Sequence, residues 1–174
     1  MEKYLGVELS RELDLEKLIE KLLSLYADEW IAAYYYTLTA YTVKGINSKE
    51  ISEFFLKEAE EELNKHARML ADRLQDFDVD PPRSFQDLYR ISGCKYPQLP
   101  EDPYDVDGFL IAAVKAELCA IRGYKELYEM VKDRDIVTEE LAEEIHSDET
   151  KHRTELVNLL SREGLDRLRE ELEK

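Results

Sequence analysis

The chain has 174 residues, with 24 Lys and Arg against 40 Asp and Glu, a formal net charge of −16. That length suits one domain with a sizeable core, and that charge repels a nucleic-acid duplex or an anionic membrane while attracting cations. No apolar run reaches the roughly 20 residues that span a bilayer, the start Met1-Glu2-Lys3-Tyr4-Leu5 lacks the basic-then-apolar layout of a signal peptide, and two cysteines are too few for a disulfide scaffold, so a cytoplasmic protein without membrane or nucleic-acid partners is expected.

Apolar residues recur at helical spacing nearly everywhere, and strand-like alternation is absent. A first long helix is predicted to start after Asp14, an N-cap candidate, and to run to about Lys44, with Gly45 as its stop. Ser48 then caps a second helix that ends near Asp76. Pro81-Pro82 must break the chain, Ser84–Ile91 can form one short helix, and Gly93–Pro103 reads as loop. A third helix runs from about Asp105 to Lys132. A fourth runs from about Thr138 to Ser161, with Gly164 as its stop, and Gly164–Lys174 can add a short terminal helix.

Connection lengths set the topology. Links of about four and five residues make two antiparallel helical hairpins. Each helix is about 40 Å long at 1.5 Å per residue, and a middle link near 28 residues reaches about 90 Å when extended, enough to run the length of a bundle. The expectation is one all-α domain over residues 1–174, a four-helix bundle at about 14–162 made of two antiparallel hairpins joined by a long crossover that carries a short helix.

The middle of each long helix carries metal-ligating residue types. Glu29 stands in Tyr26-Ala27-Asp28-Glu29-Trp30-Ile31-Ala32, Glu62 and His66 are four apart on the second helix, Glu117 follows Ala112-Ala113-Val114-Lys115-Ala116, and Glu149 and His152 are three apart on the fourth. Residues three or four apart share a helix face. Glu29 to Glu62 is 33 residues and Glu117 to Glu149 is 32, so each hairpin offers one Glu from its first helix and a Glu/His pair from its second. In packed antiparallel helices the midpoints lie side by side, and the six side chains can converge. Buried carboxylates without partners take up protons instead of staying charged. Two divalent cations offset four Glu charges, and each neutral imidazole adds a terminal ligand. Such oxygen and nitrogen donors with open positions suit iron or manganese. A lone mid-helix Glu is ordinarily a solvated residue; the joint pattern is what points to a metal centre.

With these residues the chain resembles the ferritin-like superfamily, with a bacterioferritin-type site, and more narrowly the Dps-like proteins called DPSL proteins or thioferritins. The resemblance spans about residues 14–160 and rests on Glu29 with Ala33-Tyr34-Tyr35-Tyr36-Thr37, Ser92-Gly93-Cys94 with Leu99-Pro100-Glu101-Asp102-Pro103, Ala116-Glu117-Leu118-Cys119-Ala120, and His146-Ser147-Asp148-Glu149-Thr150-Lys151-His152. It implies two iron ions held by Glu29, Glu62, His66, Glu117, Glu149 and His152, oxidation of Fe(II) by hydrogen peroxide or dioxygen, iron storage, protection against oxidative stress, and a homo-oligomeric cage of twelve subunits. The second-helix pair departs from the family's usual spacing of three. Leu63 stands where haem-binding relatives carry Met, so no haem is expected.

Cys119 lies two residues after Glu117, about 200° around the helix, and so points away from the six ligands. A Cys94–Cys119 bond would pin the crossover to the third helix, and the resemblance adds a redox role for the pair near the metal site. Tyr36, two turns after Glu29, can fill core, hydrogen-bond a ligand or donate an electron. His146, three residues before Glu149, is either a second-shell donor to it or a surface histidine. Trp30 and Tyr34–Tyr36 suit core and subunit contacts. Two other readings stay open: a rubrerythrin-like peroxidase or manganese catalase that stores no iron, and a non-catalytic helical interaction protein.

Overall fold

The computed structural model describes residues 13–173; residues 1–12, including Met1–Leu5, and Lys174 lie outside the described residues. The described residues form helices α1 (Leu15–Thr42), α2 (Ser48–Glu61), a π-helical turn (Glu62–Ala67), α3 (Arg68–Asp76), α4 (Phe85–Ile91), α5 (Val106–Val131), α6 (Ile136–Leu159) and α7 (Arg162–Leu172). No helix among them is long and apolar enough to cross a membrane. The helices α1, α2–π–α3, α5 and α6 make the four-helix bundle, and residues 77–105 cross from one hairpin to the other along α1.

Local chemistry accounts for most boundaries. The Asp14 side chain accepts the Lys17 N–H at 3.3 Å and caps α1. The α1–α2 turn needs two left-handed residues, Gly45 at φ +104° and Asn47 at φ +64°. Asn47 occupies the N-cap of α2, and Ser48, expected there, is the first helical residue. Asp105 caps α5 through the Gly108 N–H. The fourth helix begins earlier than expected, at Ile136, because Asp135 caps it through the Thr138 N–H at 3.4 Å. Gly164 does not stop that helix. The chain breaks after Leu159, the Ser161 hydroxyl oxygen accepts the Gly164 N–H at 3.0 Å to start α7, and a Cβ at Gly164 would overlap the Asp107 carboxylate, which accepts the Ser161 N–H.

The second helix is not uniformly α-helical. Its π turn covers Glu62 to His66, the pair whose spacing of four was anomalous. One extra residue in the turn lets both side chains face the bundle axis, and such bulges concentrate at functional sites. The core is divided in two. One apolar cluster includes Ile31, Tyr36, Phe55, Phe109, Val114 and Leu156; the other includes Leu18, Leu22, Leu25, Leu70, Leu74, Tyr124 and Ile145. Between them lies a polar layer.

The crossover is tied down at several points. Ser92 Oγ and the Cys94 N–H donate to Asp28 Oδ1 at 2.5 and 2.9 Å, Tyr96 stacks on Tyr35 at 4.6 Å between ring centroids, and the Lys44 N–H donates to Pro103 O at 2.8 Å. Cys94 and Cys119 form a disulfide with their Cα atoms 5.7 Å apart. It closes a loop of sequence separation 25, and loop-closure entropy assigns it about 3 kcal/mol. Reduction, or Cys119→Ser, should therefore lower the melting temperature by about 10 °C; thermal unfolding with and without reductant measures this, and identical curves would refute a stabilising crosslink.

Candidate metal centre

The polar layer gathers Glu29 from α1, Glu62 and His66 from the π turn, Glu117 from α5, and Glu149 and His152 from α6, each 5% exposed or less. Their ligand atoms form two overlapping groups, Glu29/Glu62/His66/Glu149 and Glu62/Glu117/Glu149/His152, and within each group all lie within 4.8 Å of one another. Glu62 and Glu149 belong to both. His66 Nδ1 is 2.7 Å from Glu62 Oε2, 3.1 Å from Glu149 Oε1 and 3.6 Å from Glu29 Oε2. His152 Nδ1 is 3.7 Å from Glu62 Oε1 and 3.8 Å from Glu149 Oε2. The two imidazoles lie 5.8 Å apart between centroids.

The residues present fit a pair of cations. His66 Nε2, Glu117 Oε2, Glu149 Oε1 and His152 Nδ1 are buried without a hydrogen-bond partner, and orphaned polar atoms in a core call for a missing ion or water. Burial pushes Glu62 and Glu117 well above the usual carboxylate range, and neighbouring glutamates push them further. Burial also opposes ionisation of Glu149, but the neighbouring Glu117, His152 and His66 outweigh it and hold that carboxyl below the usual carboxylate range. Burial disfavours the cation at His66 and at His152 too; the facing carboxylates, Glu149 first, more than offset it and raise both. Without metal the layer thus balances its charge with protons.

A second ring of side chains orients these groups. Each histidine turns Nδ1 inward and Nε2 outward, His66 toward Asp148 Oδ2 and His152 toward Glu61 Oε2, both at 3.6 Å. At Asp148 burial is outweighed by Lys151 and Lys65, which hold its pKa down to about 2. Tyr36 donates to Glu117, and Tyr124 donates to Glu29; burial and the adjacent carboxylates raise both phenols well above their ordinary value, so they remain neutral donors. Tyr36 therefore reaches Glu117 of the opposite hairpin. Sequence reasoning missed Tyr124, although it stands seven residues after Glu117 as Tyr36 does after Glu29. It also missed buried Glu58 and Asp28. Glu58 precedes Glu62 by four on one face, a visible signal; burial pushes Asp28 up to about 6 against the hydrogen bonds from Ser92 and Cys94, a role that depends on the crossover. His146 is half-buried, outside both ligand groups, and makes no hydrogen bond to Glu149; its backbone carbonyl accepts the Thr150 hydroxyl.

A cavity of about 20 Å³ adjoins the layer, lined by Glu29, Tyr36, Glu62, Glu117 and Glu149 on one side and by Asp28, Cys94 and Tyr96 on the other. It has room for one or two water-sized molecules. Cys119 does not border it, as its helix position implied, yet the disulfide brings Cys94 to its wall.

Residues 19–164 match the ferritin family, described as a ferritin-like domain. The chain is 29% identical over 149 residues to the DNA protection during starvation protein of Pyrococcus furiosus, covering 86% of this chain and 80% of that one. It superposes on the dodecameric thioferritin of Bacteroides fragilis, a bacterioferritin-related protein, with a TM-score of 0.81 at 29% identity over 94% of both chains. A ferritin-like, diiron-carboxylate protein from Bacillus anthracis matches at TM-score 0.70 and 29% identity, over 85% of this chain and 98% of that one. The chain belongs to the ferritin-like family, and within it fits the Dps-like group.

Proposed function

We propose that the protein binds two iron ions in the polar layer and oxidises Fe(II) with hydrogen peroxide or dioxygen. The observation that carries this reading is the overlap of the two ligand groups: Glu62 and Glu149 are common to both, while each group keeps one histidine and one further glutamate of its own. That is the ligand plan of a carboxylate-bridged pair, in which two ions share two bridges. Donors of this kind, without thiolate, favour iron or manganese; the diiron-carboxylate description of the Bacillus anthracis relative favours iron. Iron held by these residues would supply the open coordination positions and the electrons for reducing the oxidant.

The chain's own residues set the conditions. Glu62 and Glu149 would hold both ions, His66 and His152 would complete the ligand sets, and the Tyr36 and Tyr124 hydroxyls orient Glu117 and Glu29. The apolar clusters above and below exclude bulk water. The cavity beside the layer is where a small oxidant fits.

We further propose assembly into a dodecameric cage that stores ferric product; the match to the dodecameric thioferritin of Bacteroides fragilis supports the cage. Trp30, Tyr34, Phe85 and Tyr89, exposed on α1 and α4 with Tyr34 and Phe85 in ring contact, suit subunit contacts. The Pyrococcus furiosus relative is named for DNA protection; a chain of net charge −16 would protect DNA by removing Fe(II) and oxidant, since binding a duplex requires cationic contacts.

Glu149→Ala removes a ligand common to both positions and should abolish Fe(II) oxidation, measured as ferric absorbance after mixing with Fe(II) and peroxide; undiminished oxidation would end this reading. Tyr124→Phe keeps every ligand and should weaken metal affinity about tenfold. Native mass and iron content of one sample separate a storage cage from a peroxidase that stores nothing.

A pH dependence also follows. Glu62 and Glu117 titrate near 4.5 when unfolded and far higher when folded, and His66 near 6.5 when unfolded and far higher when folded. Between pH 6 and 8 the metal-free folded state therefore binds more protons than the unfolded chain, so its stability falls as pH rises. Glu149 and Asp148, lowered on folding, are ionised in both states there and add no slope. Divalent metal displaces those protons, so its affinity rises with pH. Melting temperatures across this range should fall for metal-free protein and hold or rise for the metal-loaded form; a rising metal-free curve would contradict the protonated layer.

A further inference from the structure

Tyr36, Tyr96 and Tyr124 bring phenols to the polar layer, and one hydroxyl is left unused. Tyr36 donates to Glu117 and Tyr124 donates to Glu29. Tyr96, carried in by the crossover, is 9% exposed, and its hydroxyl is buried without a hydrogen-bond partner. A phenol left so forfeits the bonds it made in water, so the position calls for a guest. Its ring is nonetheless fixed. It stacks on Tyr35 at 4.6 Å between centroids with the planes 4° apart, and it meets Tyr36 edge-on at 5.8 Å. Two residues earlier, Cys94 is held by its disulfide and by the bond from its N–H to Asp28.

Tyr96 belongs to the wall of the 20 Å³ cavity, across from Glu62, Glu117 and Glu149. The other hydroxyls of that wall are spent: Ser92 donates to Asp28, and Tyr36 to Glu117. The sulfur of Cys94 is in the disulfide and carries no proton. Burial raises the Tyr96 phenol well above its ordinary value, and Glu117 and Glu62 raise it further, so it stays a neutral donor. A guest in the cavity therefore finds one unspent O–H on the crossover side.

Size admits either oxidant, since the cavity has room for one or two water-sized molecules. Hydrogen bonding separates them. Each oxygen of hydrogen peroxide accepts a hydrogen bond readily, whereas dioxygen is apolar and accepts weakly. A site with a buried donor favours the guest that can pair with it.

We propose that Tyr96 selects the oxidant: its hydroxyl donates a hydrogen bond to hydrogen peroxide held in the cavity and so favours peroxide over dioxygen. The assignment rests on the Fe(II)-oxidising reading for what becomes of the peroxide. Tyr96 itself contributes a hydrogen bond only and keeps its proton and its electrons.

The test is Tyr96→Phe, which keeps the ring and removes the oxygen. Stopped-flow Fe(II) oxidation, run separately with hydrogen peroxide and with dioxygen, should show KM for peroxide raised about tenfold, with kcat and the dioxygen rate unchanged. A second readout needs no turnover. Protein loaded with Zn(II), which passes no electrons, is titrated with hydrogen peroxide in a calorimeter, and the variant should bind about tenfold more weakly. The melting temperature of the metal-free variant should not fall, because the oxygen removed has no partner within the protein. Unchanged peroxide affinity, equal loss with both oxidants, or a lowered melting temperature would each overturn the role of Tyr96 alone. A wild type that oxidises no Fe(II) with either oxidant would instead overturn the Fe(II)-oxidising reading, and the calorimetric titration would still decide whether Tyr96 binds peroxide.

Discussion

Four glutamates and two histidines are enclosed in one layer of a helical bundle, and charge neutrality in that layer governs the rest of the molecule. Carboxylates removed from water must acquire either protons or cations. In the absence of cations, burial and mutual repulsion shift Glu62 and Glu117 toward the protonated form, while neighbouring groups lower Glu149 and the facing carboxylates raise His66. A binuclear metal centre is the second. Both depend on the same six side chains and the same low-dielectric surroundings, supplied by the two apolar clusters that bracket the layer. Those clusters stabilise the fold by an ordinary hydrophobic contribution, about 2 kcal/mol for each fully buried Leu or Phe, and this offsets the cost of a polar layer that contributes little stability alone.

Each hairpin delivers equivalent parts, a Glu followed seven residues later by a Tyr on its first helix and a Glu/His pair on its second, and the tyrosines cross over to hold each other's glutamate. The two halves differ where a single residue has been added. The π turn accommodates a Glu/His pair four apart in the first hairpin, where the second uses three in a regular helix. Beyond the inner glutamates and histidines the symmetry ends: two lysines, Lys65 and Lys151, neutralise Asp148 outside His66, whereas on the His152 side Lys57 pairs with Glu58 at 3.4 Å and Glu61 faces the imidazole.

The crossover does more than connect the hairpins. Asp28, adjacent to Glu29, accepts hydrogen bonds from Ser92 and the Cys94 backbone, and this fixes the crossover against α1 at the level of the polar layer. The disulfide then joins that point to α5 two residues from Glu117. Covalent and hydrogen-bonded restraints thus meet beside the cavity wall, where Cys94 and Tyr96 face the glutamates.

The sequence by itself determined the four long helices, the two hairpins and the six converging side chains, because amphipathic period, short turns and repeated spacing are local properties that survive without coordinates. It also identified Cys94 and Cys119 as partners able to bond. Exact helix starts were less legible: Asn47 rather than Ser48 opens α2, because the left-handed turn around Gly45 sets the entry, and Gly164 serves close packing against Asp107 instead of ending α6. Tertiary structure alone decided that the spacing of four at Glu62 and His66 is absorbed by a π turn, that Tyr36 reaches across to Glu117, that His146 stays at the edge while Tyr124, Asp28 and Glu58 become part of the site, and that Cys94 borders the cavity. The physical reason is one of range. Periodicity tells which face of a helix is buried, but the partner a buried polar atom finds depends on how separate helices rotate and cross, and that is set only when the whole bundle packs.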